Sequence, residues 1–134
     1  MRKLVFCLMA VLLFAGCGKE NTFVPDVYVN YTITIQEFKI KAVNNVLLVP
    51  NAGVAGLIIY QSGNGYVAYD RCSPVNPEKQ CKVAPDDTGI TVEDPCTGGK
   101  WLLLDGSPQK APAVRNLKSY TVSIQGGQTL KVLN

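Results

Sequence analysis

Residues 56–69 read Gly-Leu-Ile-Ile-Tyr-Gln-Ser-Gly-Asn-Gly-Tyr-Val-Ala-Tyr, and they carry the clearest fold signal of the chain. Two short runs of apolar and aromatic residues, 56–60 and 65–69, flank a polar Gln-Ser-Gly-Asn segment. Asn64 and Gly65 tolerate the positive φ angles of tight β turns. The stretch therefore predicts a β-hairpin.

Strand-like segments continue on both sides of this hairpin. Residues 27–35 are rich in β-branched and aromatic side chains and alternate in polarity, and the apolar run 46–49 stops at Pro50. Turns rich in Gly, Pro, Asp and Asn separate the segments, and no helix with caps and a 3.6-residue period is evident. The pattern predicts one all-β domain over residues 27–134, a small antiparallel sandwich or open barrel. Its further predicted strands are 82–83, 90–92, 101–104, 120–124 and 129–133.

The N-terminal end has the order of a bacterial lipoprotein signal. Basic Arg2 and Lys3 precede an uncharged apolar run, 4–14, which has the length of a signal-peptide core rather than of a membrane span. The run ends in Leu-Phe-Ala-Gly-Cys, which resembles a lipobox. We therefore expect residues 1–16 to be a signal peptide and Cys17 to be the lipidated mature N-terminus, followed by a tether over residues 17–26.

The remaining composition limits the partners of the mature chain. Without Arg2 and Lys3, eleven basic and ten acidic residues remain, a net charge of +1 that provides no electrostatic footprint for nucleic acid. Acyl chains such as palmitate would anchor the chain to a membrane. The Cys-Gly-Lys-Glu start at 17–20 resembles the signal that sends lipoproteins of Bacteroides-like bacteria to the outer-membrane surface. We expect a cell-envelope protein at the outer membrane, with periplasmic or surface exposure left open.

Three cysteines remain beside Cys17, namely Cys72, Cys81 and Cys96. An oxidising compartment favours disulfides, and three thiols allow one bridge with one thiol left over. The chain contains no histidine, so it has neither a Ser-His nor a Cys-His catalytic pair. No enzymatic activity is therefore predicted.

An ordered series of motifs runs from the predicted hairpin toward the C-terminal end. The series begins with a strand ending in Ala-Tyr-Asp-Arg-Cys at 68–72 and a loop to Cys81. It continues with Asp-Pro-Cys-Thr-Gly-Gly-Lys-Trp at 94–101, Asp-Gly-Ser-Pro at 105–108 and Ala-Pro-Ala at 111–113. The order of these motifs resembles that of a Rieske iron–sulfur domain of the secreted, lipid-anchored branch. In that family, a first Cys-x-His box and a second Cys-x-x-His box hold a 2Fe–2S cluster. A second cysteine pair forms a disulfide that clamps the two loops in many members.

The resemblance implies that most cluster ligands have been replaced. Cys72 matches the first ligand cysteine, but Pro74 stands at the first ligand histidine. Asp94 stands at the second ligand cysteine, and Thr97 at the second ligand histidine. A Rieske centre needs two imidazoles on one iron, so no 2Fe–2S cluster is expected. We call residues 72–74 the first box and residues 94–97 the second box.

The clamp pair of the family falls on Cys81 and Cys96, and the resemblance implies a disulfide between them. The expected function is that of a binding or structural module at the envelope, with an unidentified protein or small-molecule ligand. The alternative is an envelope electron-transfer protein with a 2Fe–2S cluster or another non-standard metal site. Cys72, Cys81, Asp94 and Cys96 would then be the ligands, since thiolates suit iron–sulfur or zinc and a carboxylate can complete a zinc site.

Overall fold

The computed structural model describes residues 23–63 and 65–134. The predicted signal peptide and Cys17 lie outside the described residues. Within these described residues, ten strands and one α-helix form the fold, with a short 3₁₀ helix at Pro77–Lys79. The elements are β1 (Asn30–Thr34), α1 (Ile35–Lys41), β2 (Val46–Val49), β3 (Leu57–Ser62), β4 (Gly65–Asp70), β5 (Ala84–Pro85), β6 (Thr91–Glu93), β7 (Lys100–Leu102), β8 (Pro108–Lys110), β9 (Ser119–Gln125) and β10 (Thr129–Leu133).

The larger sheet has six strands in the order β1-β10-β9-β4-β3-β2, all paired antiparallel. The predicted hairpin is confirmed: β3 and β4 pair from Leu57 with Asp70 to Ser62 with Gly65. Gly63 in the turn has a φ of +57°, a value that glycine adopts without strain. Asn64 lies outside the described residues.

Strand β3 is buried on both faces, which explains its unbroken apolar run. Leu57 and Ile59 belong to one hydrophobic cluster with residues of β10, β2 and α1. Ile58, which points to the opposite face, packs in a second cluster that includes Trp101 and Val92 of the smaller sheet. The two clusters hold the helix and the smaller sheet against the larger one.

The structure corrects the prediction that residues 27–35 are a strand and that no capped helix exists. Strand β1 ends at Thr34, whose Oγ1 accepts a hydrogen bond from the backbone N of Glu37 at 3.1 Å and caps α1. Phe38 is buried and meets the ring of Tyr66 edge-on, with centroids 5.2 Å apart. A helix of seven residues spans only about two turns, too few for a visible 3.6-residue period.

The smaller sheet has the order β5-β6-β7-β8 and supports the loops that contain the two boxes. Predicted strands at 90–92 and 101–104 correspond to β6 and β7 with shifted ends. Residues 82–83 do not form the predicted strand: Lys82 makes only an isolated bridge to Cys72, and the strand begins at Ala84. Strand β8 was not predicted, because Pro108 and two polar residues lack a strand pattern. No helix in the described part of the chain is long and apolar enough to cross a membrane.

Candidate functional site

The two boxes lie in two loops that meet at one end of the smaller sheet. The first loop, residues 71–83, is held by a hydrogen bond from Ser73 N to Cys81 O at 2.8 Å. The second loop, residues 94–99, turns back on itself because Asp94 N donates to Gly99 O at 2.8 Å. These backbone contacts place each box at the start of its loop.

A disulfide between Cys81 and Cys96 joins the two loops, with a Cα–Cα distance of 6.3 Å. This distance is within the usual range for a disulfide. The structure therefore links the same two cysteines that the family resemblance pairs. Cys72 is the free cysteine of the described residues and is fully buried.

The thiol of Cys72 is held in its neutral form. Burial raises its pKa to about 11, and the nearby carboxylates of Asp70, Asp94 and Glu78 add to the effect. Its Sγ lies 3.5 Å from the carbonyl oxygen of Pro77. A nucleophilic cysteine requires the thiolate, so this environment disfavours that role.

Asp94 connects the two boxes through its buried carboxylate. Oδ2 accepts hydrogen bonds from Ser73 Oγ at 2.7 Å and from Thr97 Oγ1 at 2.8 Å. Oδ1 accepts a third from the backbone N of Cys96 at 2.8 Å. Pro74, at the position of the first ligand histidine, is half-buried, and its side chain has no polar atom that could donate to this carboxylate. We call Ser73, Asp94 and Thr97 the polar triad.

A second buried carboxylate, Asp70, fixes the start of the first loop. It accepts hydrogen bonds from the backbone N of Val54 at 2.6 Å, Ala55 at 3.0 Å and Cys72 at 2.8 Å. It also accepts one from the Tyr120 hydroxyl at 2.7 Å. Burial, followed by this hydrogen bond to Asp70, raises the pKa of Tyr120. Asp70 therefore positions Cys72 by holding its backbone.

Sequence reasoning missed both Asp70 and Ser73. Asp70 is the last residue of β4 and comes directly after buried apolar residues, where a buried acid needs several hydrogen-bond donors, but nothing in the sequence identifies them. Ser73 occupies the variable position of the Cys-x-His box. The absence of the ligand histidine was the available signal that another polar contact, here the hydrogen bond from Ser73 to Asp94, joins the boxes.

The loop that follows β8 covers the second box from one side. Trp101 Nε1 donates to the carbonyl oxygen of Arg115 at 2.7 Å. A Cβ atom on Gly99 would lie 3.3 Å from Ala113 N, so the second loop and residues 111–113 approach closely. Residues 111–113 are the Ala-Pro-Ala motif on which the resemblance partly rests.

Three of the four residues of the alternative metal site are close to one another. The ligand atoms of Cys81, Asp94 and Cys96 all lie within 4.8 Å of each other, and Cys72 is not part of that group. Because Cys81 and Cys96 form the disulfide, only the carboxylate of Asp94 could act as a ligand in this group before the disulfide is reduced.

Comparisons with solved structures place this arrangement in a known fold. The chain is similar to the cyanobacterial plasma-membrane Rieske protein PetC3 from Synechocystis PCC 6803, with 21% identity, a TM-score of 0.56, and coverage of 81% of this chain and 99% of that one. The domain is Rieske-like in fold. The sequence itself has no significant match among protein-family models or curated proteins.

Two ferredoxin structures support the same Rieske-like fold. One belongs to the complex of reduced oxygenase and oxidized ferredoxin in carbazole 1,9a-dioxygenase, at 19% identity, a TM-score of 0.54, and coverage of 78% of this chain and 93% of that one. The other is the ferredoxin of carbazole 1,9a-dioxygenase from Nocardioides aromaticivorans IC177, at 15% identity, a TM-score of 0.52, and coverage of 79% and 97%. Identities this low establish the fold and transfer no residue roles.

The side chains in the boxes do not fit a Rieske cluster. Such a cluster uses two cysteines and two histidines, and this chain contains no histidine. At the second box, the oxygens of Asp94 already accept three hydrogen bonds. In residues 23–63 and 65–134, every buried side-chain nitrogen or oxygen has a hydrogen-bond partner.

Proposed function

We propose that this protein is a lipid-anchored envelope protein whose Rieske-like domain is a binding or structural module without a 2Fe–2S cluster. The observation that carries the proposal is the polar triad. Hydroxyl and carboxylate groups meet at the boxes, where a Rieske centre would need thiolates and imidazoles.

The triad supplies the cohesion that a cluster would otherwise provide between the two loops. Ser73 belongs to the first loop and Asp94 to the second, so their 2.7 Å hydrogen bond crosses from one loop to the other. Hydrogen bonds to a charged, buried acceptor are stronger than neutral ones, and removing one partner leaves an unsatisfied group. A hydrogen-bonded pair of this kind stabilises the loops without a metal.

The disulfide provides a second, covalent link between the same loops. It closes a separation of 15 residues between Cys81 and Cys96, which favours the folded state by restricting the unfolded chain. With both links in place, the loops have a defined shape that a partner or small ligand could recognise. An oxidising envelope compartment supports the persistence of such a disulfide.

The lipoprotein part of the proposal is supported by the sequence at 1–17. Basic residues, an apolar run and small residues before Cys17 follow in the order that processing requires. Stable anchoring requires more than one acyl chain, which processing at such a cysteine would supply. The anchor would keep the domain at the surface of the outer membrane.

A second candidate function is metal-dependent electron transfer, and one observation favours it. Cys81, Asp94 and Cys96 lie within 4.8 Å of one another, so reduction of the disulfide would release two thiols beside a carboxylate. Iron uptake by the reduced protein that is abolished in Asp94→Ala, but not in Cys72→Ala, would favour this candidate.

Anaerobic reconstitution with iron and sulfide tests the proposed function. The wild-type protein is compared with Pro74→His/Asp94→Cys/Thr97→His, which restores the donor set of the family, and circular dichroism checks that both are folded. We expect the wild type to stay colourless after desalting, because its boxes lack imidazole ligands. A wild-type protein that retains a 2Fe–2S visible spectrum would overturn the proposal.

A further inference from the structure

The last residues of the predicted tether form one wall of an open cleft at the end of the domain that holds the boxes. Residues 23–26 face residues 114–118 across a volume of about 540 Å³. Asp26 forms an ion pair with Lys118, and the guanidinium carbon of Arg115 lies 4.3 Å from the centroid of the Phe23 ring. The lining includes Phe23, Asp26, Pro74, Val114, Arg115 and Lys118.

Two large apolar side chains of this cleft face solvent. Phe23 is 67% exposed and Val114 is 80% exposed, although both are hydrophobic. Arg115 and Lys118 lie beside them, with Asp26 as the acid among the lining residues. Aromatic and aliphatic side chains flanked by Arg and Lys are the combination that contacts the interface of an anionic bilayer, since long basic side chains reach the headgroups.

The length of chain between the lipid site and the cleft brings this surface close to the membrane. Phe23 lies six positions after Cys17, and an extended chain spans at most about 3.6 Å per residue. If Cys17 is acylated, Phe23 cannot be more than about 20 Å from the acylated backbone. The short connection to Cys17 therefore limits the distance from the bilayer more tightly for the cleft than for the rest of the described domain.

We propose that the cleft surface, formed by Phe23, Val114, Arg115 and Lys118, lies against an anionic phospholipid surface. This inference rests on the proposed lipid anchor at Cys17. Pro74 lines the same cleft, so the first box turns toward the membrane.

Quenching of a single added tryptophan by brominated lipids tests the orientation. Val114→Trp puts the probe on the cleft surface, and Ile124→Trp is the matched control at another exposed aliphatic position, 48% exposed. Ile124 lies six residues beyond Lys118 along β9, or about 20 Å at the rise of a strand. The acylated mature protein is reconstituted into vesicles with and without phosphatidylglycerol, and the unmodified protein supplies the background of buried Trp101.

We expect several-fold stronger quenching of Val114→Trp than of Ile124→Trp, and a larger difference in vesicles that contain phosphatidylglycerol. Equal quenching in protein that floats with the vesicles would overturn the cleft surface but leave the anchor intact. Failure of the protein to float would overturn the anchor and the orientation together. Quenching of Val114→Trp by aqueous acrylamide but not by lipid would show that the cleft faces water, and would also overturn the proposal.

Discussion

The hydroxyl of Ser73 donates a hydrogen bond to Oδ2 of Asp94 at 2.7 Å, and this contact joins the first box to the second. Both residues are fully buried. The contact turns two loops of a Rieske-like fold into one hydrogen-bonded unit. Its energetic role can be measured, because each partner can be removed without changing a cysteine.

Asp94→Ala is expected to lower the free energy of unfolding by about 2–4 kcal/mol. The substitution leaves the fully buried hydroxyl of Ser73 without its acceptor, which costs about 1–3 kcal/mol. It also removes the hydrogen bonds from Thr97 Oγ1 and from the backbone N of Cys96, which belong to exposed residues and contribute less. Chemical denaturation measures the effect. The control is Asp87→Ala at an exposed turn position, for which the change should stay within about 0.5 kcal/mol. Equal stability of the two variants would contradict the role of the triad.

Stability is expected to fall as the pH rises above 9. Burial raises the pKa of Cys72 from 9.0 to about 11 and that of Tyr69 from 10.0 to about 12. The folded state favours the neutral forms, so their contribution is complete below the ordinary values and is lost as the pH rises toward the folded-state values.

Denaturation midpoints between pH 9 and pH 12 measure this loss in the wild type, Cys72→Ala and Tyr69→Phe. We expect a smaller fall in Cys72→Ala between pH 9 and pH 11, because the variant has no thiol to ionise there. Tyr69→Phe should also lose stability at neutral pH, since the Tyr69 hydroxyl donates to Leu103 O at 3.0 Å. Identical pH profiles for all three proteins would rule out the assigned groups.

The disulfide is expected to stabilise the folded domain and to join Cys81 to Cys96. In the chain-entropy model, closing a loop of 15 residues is worth about 3 kcal/mol, so Cys81→Ala/Cys96→Ala should unfold at correspondingly lower denaturant. Non-reducing peptide mapping should recover the Cys81 and Cys96 peptides joined. Cys72, which is buried, should take up a thiol-blocking label only after unfolding. A joined Cys72–Cys96 peptide would contradict the assignment of the two boxes.

Lipidation is expected at Cys17. A palmitate analogue supplied to a bacterial host should label the wild type and not Cys17→Ala, because the thiol is the site to which the lipid is attached. Cys7→Ala is the matched control, since Cys7 lies in the apolar run that processing removes. Equal labelling of the wild type and Cys17→Ala would exclude a lipoprotein.

The hairpin and the long strands could be predicted from the sequence because their signals are local. Asn64 and Gly65 between two apolar runs indicate a hairpin without reference to the rest of the chain. Helix α1 escaped prediction because the β-branched run before it continues to Ile35, its first residue. A cap from Thr34 and the burial of Phe38 against Tyr66 decide its conformation, and the second is a tertiary contact.

The candidate site was predictable only in part. The resemblance located the two boxes and the cysteine pair, because motif order survives when individual ligands are replaced. It could not predict that Thr97 would turn toward Asp94, or that Asp70 would bind backbone groups at 54 and 55. Those contacts depend on how the loops fold, so they follow from the fold rather than from any local pattern.

The central claim is that the domain functions without an iron–sulfur cluster. The most direct test is the iron and acid-labile sulfide content of protein purified anaerobically from an envelope fraction, measured beside the Asp94→Ala variant. We predict a colourless wild type whose iron and sulfide do not exceed those of the variant. A brown wild-type protein with near-stoichiometric iron and sulfide, both lost in Asp94→Ala, would contradict the account.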